Sequence, residues 1–220
     1  MGSGPFGGTG SMDVHYTGVW ESRANRSLVL WSARDSAFHR SADRSFFRHK
    51  KGKTCIEAMF IEVLTEEQIE IVESLAEEIW TEHYVPIIGK EQVEYMLDRF
   101  QSKESISDQL RSGFLYFLIR EDNHFIGYIG VQPKGDELFL SKIYIKSSER
   151  DKDHGKKAIQ YIENLAKEKG LRKIVLTVNK NNRVAINAYE RLGFKNLGSV
   201  IQEIGGGFVM DDYKMEKTVL

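Results

Sequence analysis

The chain has 220 residues, 41% of them hydrophobic and 29% charged, and a formal net charge of −1 at pH 7. This composition is typical of one soluble globular domain with or without an extension, and the balance of 31 basic and 32 acidic residues argues against a general nucleic-acid or membrane-surface binder. A single cysteine, Cys55, excludes an internal disulfide, and no apolar run is long enough to span a membrane, so we expect a cytoplasmic protein. No Cys/His cluster has metal-ligand spacing, so we expect no bound metal.

Residues 1–58 differ in composition from the rest of the chain. They contain eight Ser and six Arg but only one Ile, Ile56. They show no sustained helical or strand period, and they lack the apolar core of a secretory signal. We therefore expect a flexible or appended extension over 1–58 and one domain over 59–220. The alternative is a nucleic-acid-binding protein that acts through the basic arm from Arg40 to Lys53.

A short strand and three helices are predicted first in the domain. Met59–Leu64 predicts a strand, and Thr65–Gln68 has the pattern of a capping box. Apolar residues at helical spacing then predict a helix over 66–83, which Pro86 and Gly89 are expected to end. Two further helices are predicted over 91–101 and 103–111.

The second half of the domain has the pattern of a sheet covered by helices. Strands are predicted over 114–120, 125–131, 137–146, 173–178, 194–203 and 208–216, and helices over 155–169 and 182–192. Strands that alternate with helices must bury both faces of their sheet. We therefore expect a mixed α/β fold, with a largely antiparallel, twisted sheet of about seven strands layered with helices.

A polar loop, 150–155, lies between a predicted strand and the start of a predicted helix. Backbone N–H groups at a helix start, together with the positive end of the helix dipole, favour an anion. Arg150, Lys152 and Lys156 add positive charge there. The loop therefore favours a diphosphate-binding site, with an ordinary solvated loop as the alternative.

A second motif follows the next predicted strand. Its pattern is Asn-x-x-Asn-x-x-Ala-x-x-x-Tyr-x-x-x-Gly-Phe, formed by Asn179, Asn182, Ala185, Tyr189, Gly193 and Phe194. Together with Arg150 and Gly155 in the preceding loop, it resembles the GNAT superfamily of acetyl-CoA-dependent N-acetyltransferases. The resemblance covers essentially all of 59–220. Within the family, the sequence is similar to small bacterial members of the polyamine-acetyltransferase type.

The resemblance implies a set of residues that bind acetyl-CoA. Backbone groups of the strand would bind the pantetheine arm as an added strand, and the amide near Ile143 would polarise the thioester carbonyl. The loop would hold the pyrophosphate, and Asn182 would contact the cofactor. The implied cofactor-binding residues are Ile143, Tyr144, Ile145, Arg150, Lys152, Asp153, His154, Gly155, Lys156 and Asn182.

The resemblance also implies catalytic residues. Tyr189 would be the general acid that protonates the departing thiolate, with a tyrosine packed in the core as the alternative. Ser141 stands where several GNAT enzymes carry Glu, and serine is a poor base. A water chain or another carboxylate must then accept the proton of the amine, and Glu82 and Asp212 are both candidates.

One position departs from the family pattern in the cofactor loop. Asp153 stands where the family normally has glycine, and its carboxylate would face the cofactor phosphates. We expect weaker cofactor binding with the loop still formed, because Asp tolerates unusual backbone angles. His154 beside it would offset part of the repulsion. These departures leave a cofactor-binding or vestigial module without turnover as an alternative function.

The acceptor is expected to be a small-molecule primary amine, and a polyamine is one candidate. Carboxylates beside aromatic faces suit a cationic amine. The candidate acceptor-binding residues are Trp80, Glu82, Tyr84, Tyr95, Asp211 and Asp212. A homodimer is compatible with the resemblance, whereas a membrane or nucleic-acid partner is not expected.

Overall fold

The computed structural model describes residues 59–219. The extension expected over 1–58, with its basic arm, lies outside the described residues. The helices are α1 (Glu66–Ile88), α2 (Lys90–Gln101), α3 (Lys103–Arg111), α4 (His154–Glu168) and α5 (Arg183–Arg191). The strands are β1 (Phe60–Glu62), β2 (Leu115–Glu121), β3 (His124–Lys134), β4 (Glu137–Ile145), β5 (Lys173–Asn179), β6 (Lys195–Gly205) and β7 (Phe208–Thr218).

The described strands form one sheet in the order β1-β2-β3-β4-β5-β7-β6. Neighbouring strands are antiparallel except β4 and β5, which are parallel. The predicted mixed, largely antiparallel sheet of about seven strands is confirmed.

The single parallel pair opens into a cleft. β4 and β5 pair from Glu137 and Lys173 as far as Leu140 and Leu176, although both strands continue. Beyond that point β5 keeps its pairing with β7 on its other side. The segments Ser141–Ile145 and Thr177–Asn179 therefore face each other unpaired, and we call the gap the β4–β5 cleft.

A β-bulge lies where the cleft begins. On β3, Gly130 pairs with Lys142 and Val131 pairs with Leu140, so Ser141 is the extra residue of β4. A bulge bends its strand and shifts the side chains beyond it to the opposite face. The bend coincides with the loss of pairing to β5.

Helices cover both faces of the sheet. Ile129 of β3 belongs to a core that includes Ile159 and Ile162 of α4. The neighbouring Tyr128 instead donates a hydrogen bond to Gln101 Oε1 of α2, at 3.2 Å. Because successive strand residues point to opposite faces, α4 and α2 lie on opposite sides of the sheet.

The first helix starts as predicted but ends later. Its capping box is present, with Gln68 N–H donating to Thr65 Oγ1 at 3.4 Å and Gln68 Oε1 accepting from Thr65 N–H at 3.0 Å. The predicted end at residue 83 is wrong, because α1 continues through Pro86 to Ile88. Pro86 has no N–H to donate to the carbonyl oxygen of Glu82, and α1 ends two residues later, where the chain leaves the helix at Gly89, whose φ is +86°.

Among the helices of residues 59–219, none is both long and apolar enough to cross a membrane.

Candidate active site

The residue that precedes α4 has a backbone conformation that favours glycine. Asp153 is the N-cap of α4, in the left-handed region with φ +61° and ψ 6°. Asp is among the few non-glycine residues that tolerate this region. Its side chain is exposed and makes no capping hydrogen bond, so its carboxylate remains beside the helix start.

The basic residues of this loop have different surroundings. Arg150 Nε donates to the carbonyl oxygen of Ile145 at 3.3 Å, at the open edge of β4. Lys152 pairs with Glu149 at 3.0 Å, and Lys156 is exposed. Gly155 leaves space at the helix start, since an added Cβ would meet only Ile145 Cδ1, at 3.9 Å.

His154 is the buried residue of the loop. It is 3% exposed, with Nε2 3.8 Å from Glu149 Oε2 and Nδ1 4.0 Å from Glu121 Oε2. Its ring therefore lies beside these two carboxylates, whereas the Asp153 side chain is exposed. The expectation that His154 offsets the charge of Asp153 gains no support from this geometry.

Asn182 caps α5 and reaches the cleft. Its Oδ1 accepts a hydrogen bond from Ala185 N–H at 3.2 Å, and the residue is only 6% exposed. Its Nδ2 lies 3.3 Å from His83 Nε2 of α1. The residue predicted to contact the cofactor is thus also the cap of α5, and its Nδ2 group lies against His83 and the Tyr84 hydroxyl.

A cluster of aromatic side chains lies at the cleft, with Tyr84 at its centre. The Tyr84 ring lies 4.8 Å from the Trp80 ring and 6.1 Å from the Tyr144 ring. The Tyr84 hydroxyl hydrogen-bonds with Tyr144 and Asn182. Tyr84 also lies close enough to Asp212 and Tyr189 for charge interactions with both side chains. Burial raises the pKa of Tyr84, so it is a neutral phenol at physiological pH.

Tyr189 lies on the inward face of α5. Its ring packs edge-on against Phe194, with centroids 5.4 Å apart. Burial, followed by the nearby Tyr84, raises the pKa of Tyr189 well above its ordinary value. Tyr189 is therefore a protonated hydroxyl that can donate a proton but cannot serve as an anion at neutral pH.

Asp212 is the buried carboxylate of the site. It is 4% exposed, and within the described part of the chain its Oδ1 has no hydrogen-bond partner. Burial raises its pKa to about 6, while a hydrogen bond from the Thr177 side chain lowers it. By contrast, Glu82 is exposed and accepts a hydrogen bond from Ser147 Oγ at 2.6 Å. Of the two predicted base candidates, Asp212 has the surroundings of a catalytic carboxylate.

Ser141 and Lys142 occupy the bulge. Lys142 is 2% exposed and donates to Gln109 Oε1 at 2.6 Å and to Ser141 Oγ at 3.3 Å. Burial lowers the pKa of Lys142 to about 7. Ser141 is therefore a hydrogen-bond acceptor for a buried amine, which leaves the role of base to another group.

The other predicted acceptor residues are spread around the cleft. Trp80 is buried, with its ring 5.3 Å from that of Tyr144. Tyr95 donates to the carbonyl oxygen of Ile204 at 2.8 Å and joins α2 to the β6–β7 hairpin. Asp211 is exposed and forms an ion pair with Lys180. The structure brings Trp80, Tyr84 and Asp212 together and leaves Tyr95 and Asp211 outside that group.

Sequence reasoning missed two residues of the site, His83 and Lys142. His83 contacts residues that lie far along the chain, and Lys142 faces inward only because of the bulge. Neither feature leaves a mark in the local sequence pattern. Among residues 59–219, no group of three or more His, Cys, Asp or Glu side chains is placed to hold a metal ion.

The site fits coenzyme A. The open edge of β4 offers unpaired backbone groups, and the start of α4 offers free N–H groups beside Arg150 and Lys156. A protonated tyrosine and a buried carboxylate lie beside the same cleft. Fold and site together define the class of coenzyme A-dependent acyltransferases.

Comparison with known proteins gives the family. The model of the acetyltransferase (GNAT) family matches residues 72–194, and the chain belongs to this family. It is an acyltransferase that uses acetyl-CoA as its co-substrate.

Individual relatives agree with this assignment. The spermidine N(1)-acetyltransferase of Thermoplasma acidophilum is 28% identical over 160 residues, which are 70% of this chain and 97% of the relative. The crystal structure of the PaiA N-acetyltransferase from that organism in complex with coenzyme A matches with a TM-score of 0.61 and 26% identity, over 72% of this chain and 98% of the other. A putative ribosomal protein bS18-alanine N-acetyltransferase of Bacillus subtilis is 30% identical over 36% of this chain and 53% of its own length.

Proposed function

We propose that this enzyme transfers the acetyl group of acetyl-CoA to a primary amine of a small cationic molecule, with polyamines as the substrate class. The observation that carries the proposal is Asp212, a buried carboxylate with an unpartnered oxygen beside the aromatic cluster at the cleft. The spermidine acetyltransferase among its relatives supports the same class.

The cofactor-binding residues follow from the cleft. Backbone groups of Ile143–Ile145 would pair with the pantetheine arm, because β5 leaves that edge free. The start of α4, with Arg150, Lys152 and Lys156, would hold the pyrophosphate. Acetyl-CoA, when bound, supplies the acetyl group as an activated thioester.

Two side chains would handle the protons of the transfer. Asp212 would accept the proton that the ammonium must lose before its nitrogen can form the new bond to the acetyl carbon. Tyr189 would donate a proton to the sulfur as the carbon–sulfur bond breaks. The order of proton affinities suits these roles, since burial keeps Tyr189 protonated while Asp212 is ionised above about pH 6.

The surroundings of Asp212 favour a cationic acceptor. Tyr84 lies close enough to the carboxylate for a charge interaction, and its ring lies 4.8 Å from that of Trp80. Aromatic faces attract ammonium groups. A buried carboxylate without a second hydrogen-bond donor gains most from a charged donor. A polyamine offers this donor and further ammonium groups for the exposed acids around the cleft, such as Glu82.

Asp212 also supports an active enzyme over a vestigial module. The serine at position 141 cannot serve as a base, but the carboxylate at 212 lies at the same cleft and can replace that function. A module without turnover would have no need to bury a carboxylate with an unpartnered oxygen, which costs stability. The cytoplasmic location, the homodimer and the extension over 1–58 remain predictions.

A substrate panel tests the proposal. The full chain is incubated with acetyl-CoA and spermidine, spermine, or a short peptide with an N-terminal alanine, and acetylated products are identified by mass spectrometry. We expect kcat/KM for a polyamine to exceed that for the peptide. Asp212→Asn should abolish the activity, whereas the matched variant Asp211→Asn should retain most of it. A preference for the peptide would refute the substrate class.

A further inference from the structure

Lys142 carries a buried amine that is held by α3. Its Nζ donates to Gln109 Oε1 at 2.6 Å, and the same oxygen accepts a hydrogen bond from the Tyr116 hydroxyl at 2.8 Å. Gln109 Nε2 donates to the carbonyl oxygen of Phe100 at 3.0 Å, so the amide oxygen is the atom that faces Lys142. The amine therefore has a fixed acceptor on the side of the helices.

The path of the Lys142 side chain depends on Gly130 of β3. The two residues pair across the strands, and an added Cβ at Gly130 would lie 3.3 Å from both Cβ and Cδ of Lys142. The same Cβ would lie 3.4 Å from Cε1 of Tyr116 in β2. Glycine thus leaves the space through which Lys142 crosses β3 towards Tyr116. Packing fixes the position of the amine as well as hydrogen bonding, since protein interiors have little spare volume.

The amine of Lys142 also donates to Ser141 Oγ, at 3.3 Å. A hydroxyl that accepts a hydrogen bond on one side has its own hydrogen free for a different partner. Lys142 is 2% exposed whereas Ser141 is partly exposed, so the hydroxyl hydrogen is directed away from the amine and towards accessible space. Ser141 is therefore a hydrogen-bond donor on its accessible side.

Ser141 lies at the closed end of the β4–β5 cleft. It directly follows Leu140, whose pair with Leu176 is the last between the two strands. The loop proposed to hold the pyrophosphate follows the other end of the open segment, after Ile145. A pantetheine arm that runs along the open edge from that loop would bring the acetyl group to the closed end, beside Ser141.

We propose that the Ser141 hydroxyl donates a hydrogen bond to the thioester carbonyl oxygen of acetyl-CoA, and that Lys142 is the positioning residue that orients this hydroxyl. The carbonyl oxygen gains negative charge as the amine nitrogen bonds to the acetyl carbon, and a preorganised donor stabilises that charge. Together with the amide near Ile143, Ser141 would give this oxygen two donors. The ammonium behind the hydroxyl strengthens the donor, because hydrogen bonds in a chain polarise one another.

Infrared difference spectra with acetyl-CoA labelled with ¹³C at the carbonyl test the donor without any amine. The inference rests on the proposed path of acetyl-CoA along β4 and is independent of which amine is the acceptor. The full chain is saturated with acetyl-CoA at pH 6, below the pKa of about 7 of Lys142, so that the protonated amine can only donate. We expect the carbonyl stretch to shift to lower frequency on binding to the wild type, and to shift less in Ser141→Ala. Ser141→Thr keeps a hydroxyl and should retain the shift, whereas Lys142→Met should give an intermediate value.

Kinetics separate this role from a structural one. We expect Ser141→Ala to lower kcat about 100-fold on any amine that the wild type acetylates, as for the loss of one oxyanion donor. The calorimetric Kd for acetyl-CoA should rise only about threefold or less, because the carbonyl oxygen carries less charge before the reaction. Ser199→Ala, at an exposed position of β6, is the matched control and should behave as the wild type does.

Three results would overturn the proposal. An equal shift of the carbonyl stretch in Ser141→Ala and the wild type would mean that the hydroxyl does not contact the carbonyl oxygen. A raised Kd for acetyl-CoA with an unchanged kcat would assign Ser141 a structural role. A wild-type shift in Lys142→Met would overturn the positioning role of the lysine. A smaller shift in Ser141→Ala supports the donor even if no polyamine is acetylated, a result that would refute the substrate class alone.

Discussion

Replacing Asp212 by Asn should stabilise the protein while it removes activity. Burial raises the pKa of this carboxyl from 3.8 to about 6 in the folded state. The folded state therefore binds the proton more tightly than the unfolded chain does, and ionisation of Asp212 opposes folding. A difference of about two pKa units corresponds to about 3 kcal/mol at pH 7.

The pH dependence gives this prediction its sign. Below about pH 4 the carboxyl is protonated in both states, so it does not reduce stability. As the pH rises from about 4 to 6, the unfolded chain ionises first and the penalty grows, and above about pH 6 it is complete. Asn is neutral at every pH and similar in shape, so Asp212→Asn should gain stability at pH 7.5 and not at pH 4.

Urea unfolding at the two pH values measures the effect. Because the amide brings a buried N–H of its own, we expect a net gain of about 1–3 kcal/mol at pH 7.5. We also expect kcat/KM for the amine to fall about 100-fold or more, as for the loss of a general base. Asp211→Asn, which removes the neighbouring exposed charge, should change both quantities little.

Two results would refute this reasoning. A loss of stability in Asp212→Asn at pH 7.5 would mean that the carboxylate is better paired than its surroundings indicate. A stability gain with unchanged kcat/KM would show that the carboxyl is buried but takes no part in the reaction.

Other predictions concern the remaining parts of the site. The kcat/KM of the wild type should rise with pH through about 6, as Asp212 ionises, in a profile taken at saturating acetyl-CoA; a flat profile there would argue against this base. Tyr189→Phe should lower kcat at least tenfold in steady-state assays and leave the calorimetric Kd for acetyl-CoA unchanged. Asp153→Asn should tighten acetyl-CoA binding about fivefold, since one exposed like-charge pair at roughly 6 Å costs about 1 kcal/mol. This gain in affinity should shrink in 1 M salt. Weaker binding of acetyl-CoA by the variant would contradict a carboxylate that faces phosphate. Gly127→Ala should lower the thermal midpoint and abolish acetyl-CoA binding, because a Cβ there would lie 2.1 Å from the backbone oxygen of Tyr144 in β4; a stable, cofactor-binding variant would refute that packing.

The sequence allowed the fold to be predicted because its elements have strong local signals. The capping box at Thr65 and the apolar spacing beyond it determine where α1 starts. The end of α1 is predicted too early because a proline is expected to stop a helix before it, whereas Pro86 lies within α1, three residues before Gly89. That added turn extends α1 beyond Glu82, His83 and Tyr84 at the cleft, so the error fell at the functional end of the helix.

The candidate site was only partly predictable for a related reason. Tyr189 and Asn182 belong to a motif with fixed spacing on one helix, and such a motif can be recognised in a single sequence. The bulge at Ser141 cannot be predicted from the sequence, since Leu140 to Ile145 has the pattern of an uninterrupted strand. The choice of Asp212 over Glu82 depends on burial and on contacts between distant segments, which no local pattern encodes.

The most direct test of the account is the rate at which free coenzyme A thiol is released from acetyl-CoA when spermidine is added to the full chain at pH 7.5. We predict saturable release that depends on spermidine, with an acetylated product in equal amount, and a rate reduced at least tenfold in Tyr189→Phe. Saturable acetyl-CoA binding without amine-dependent thiol release from any polyamine would contradict the account.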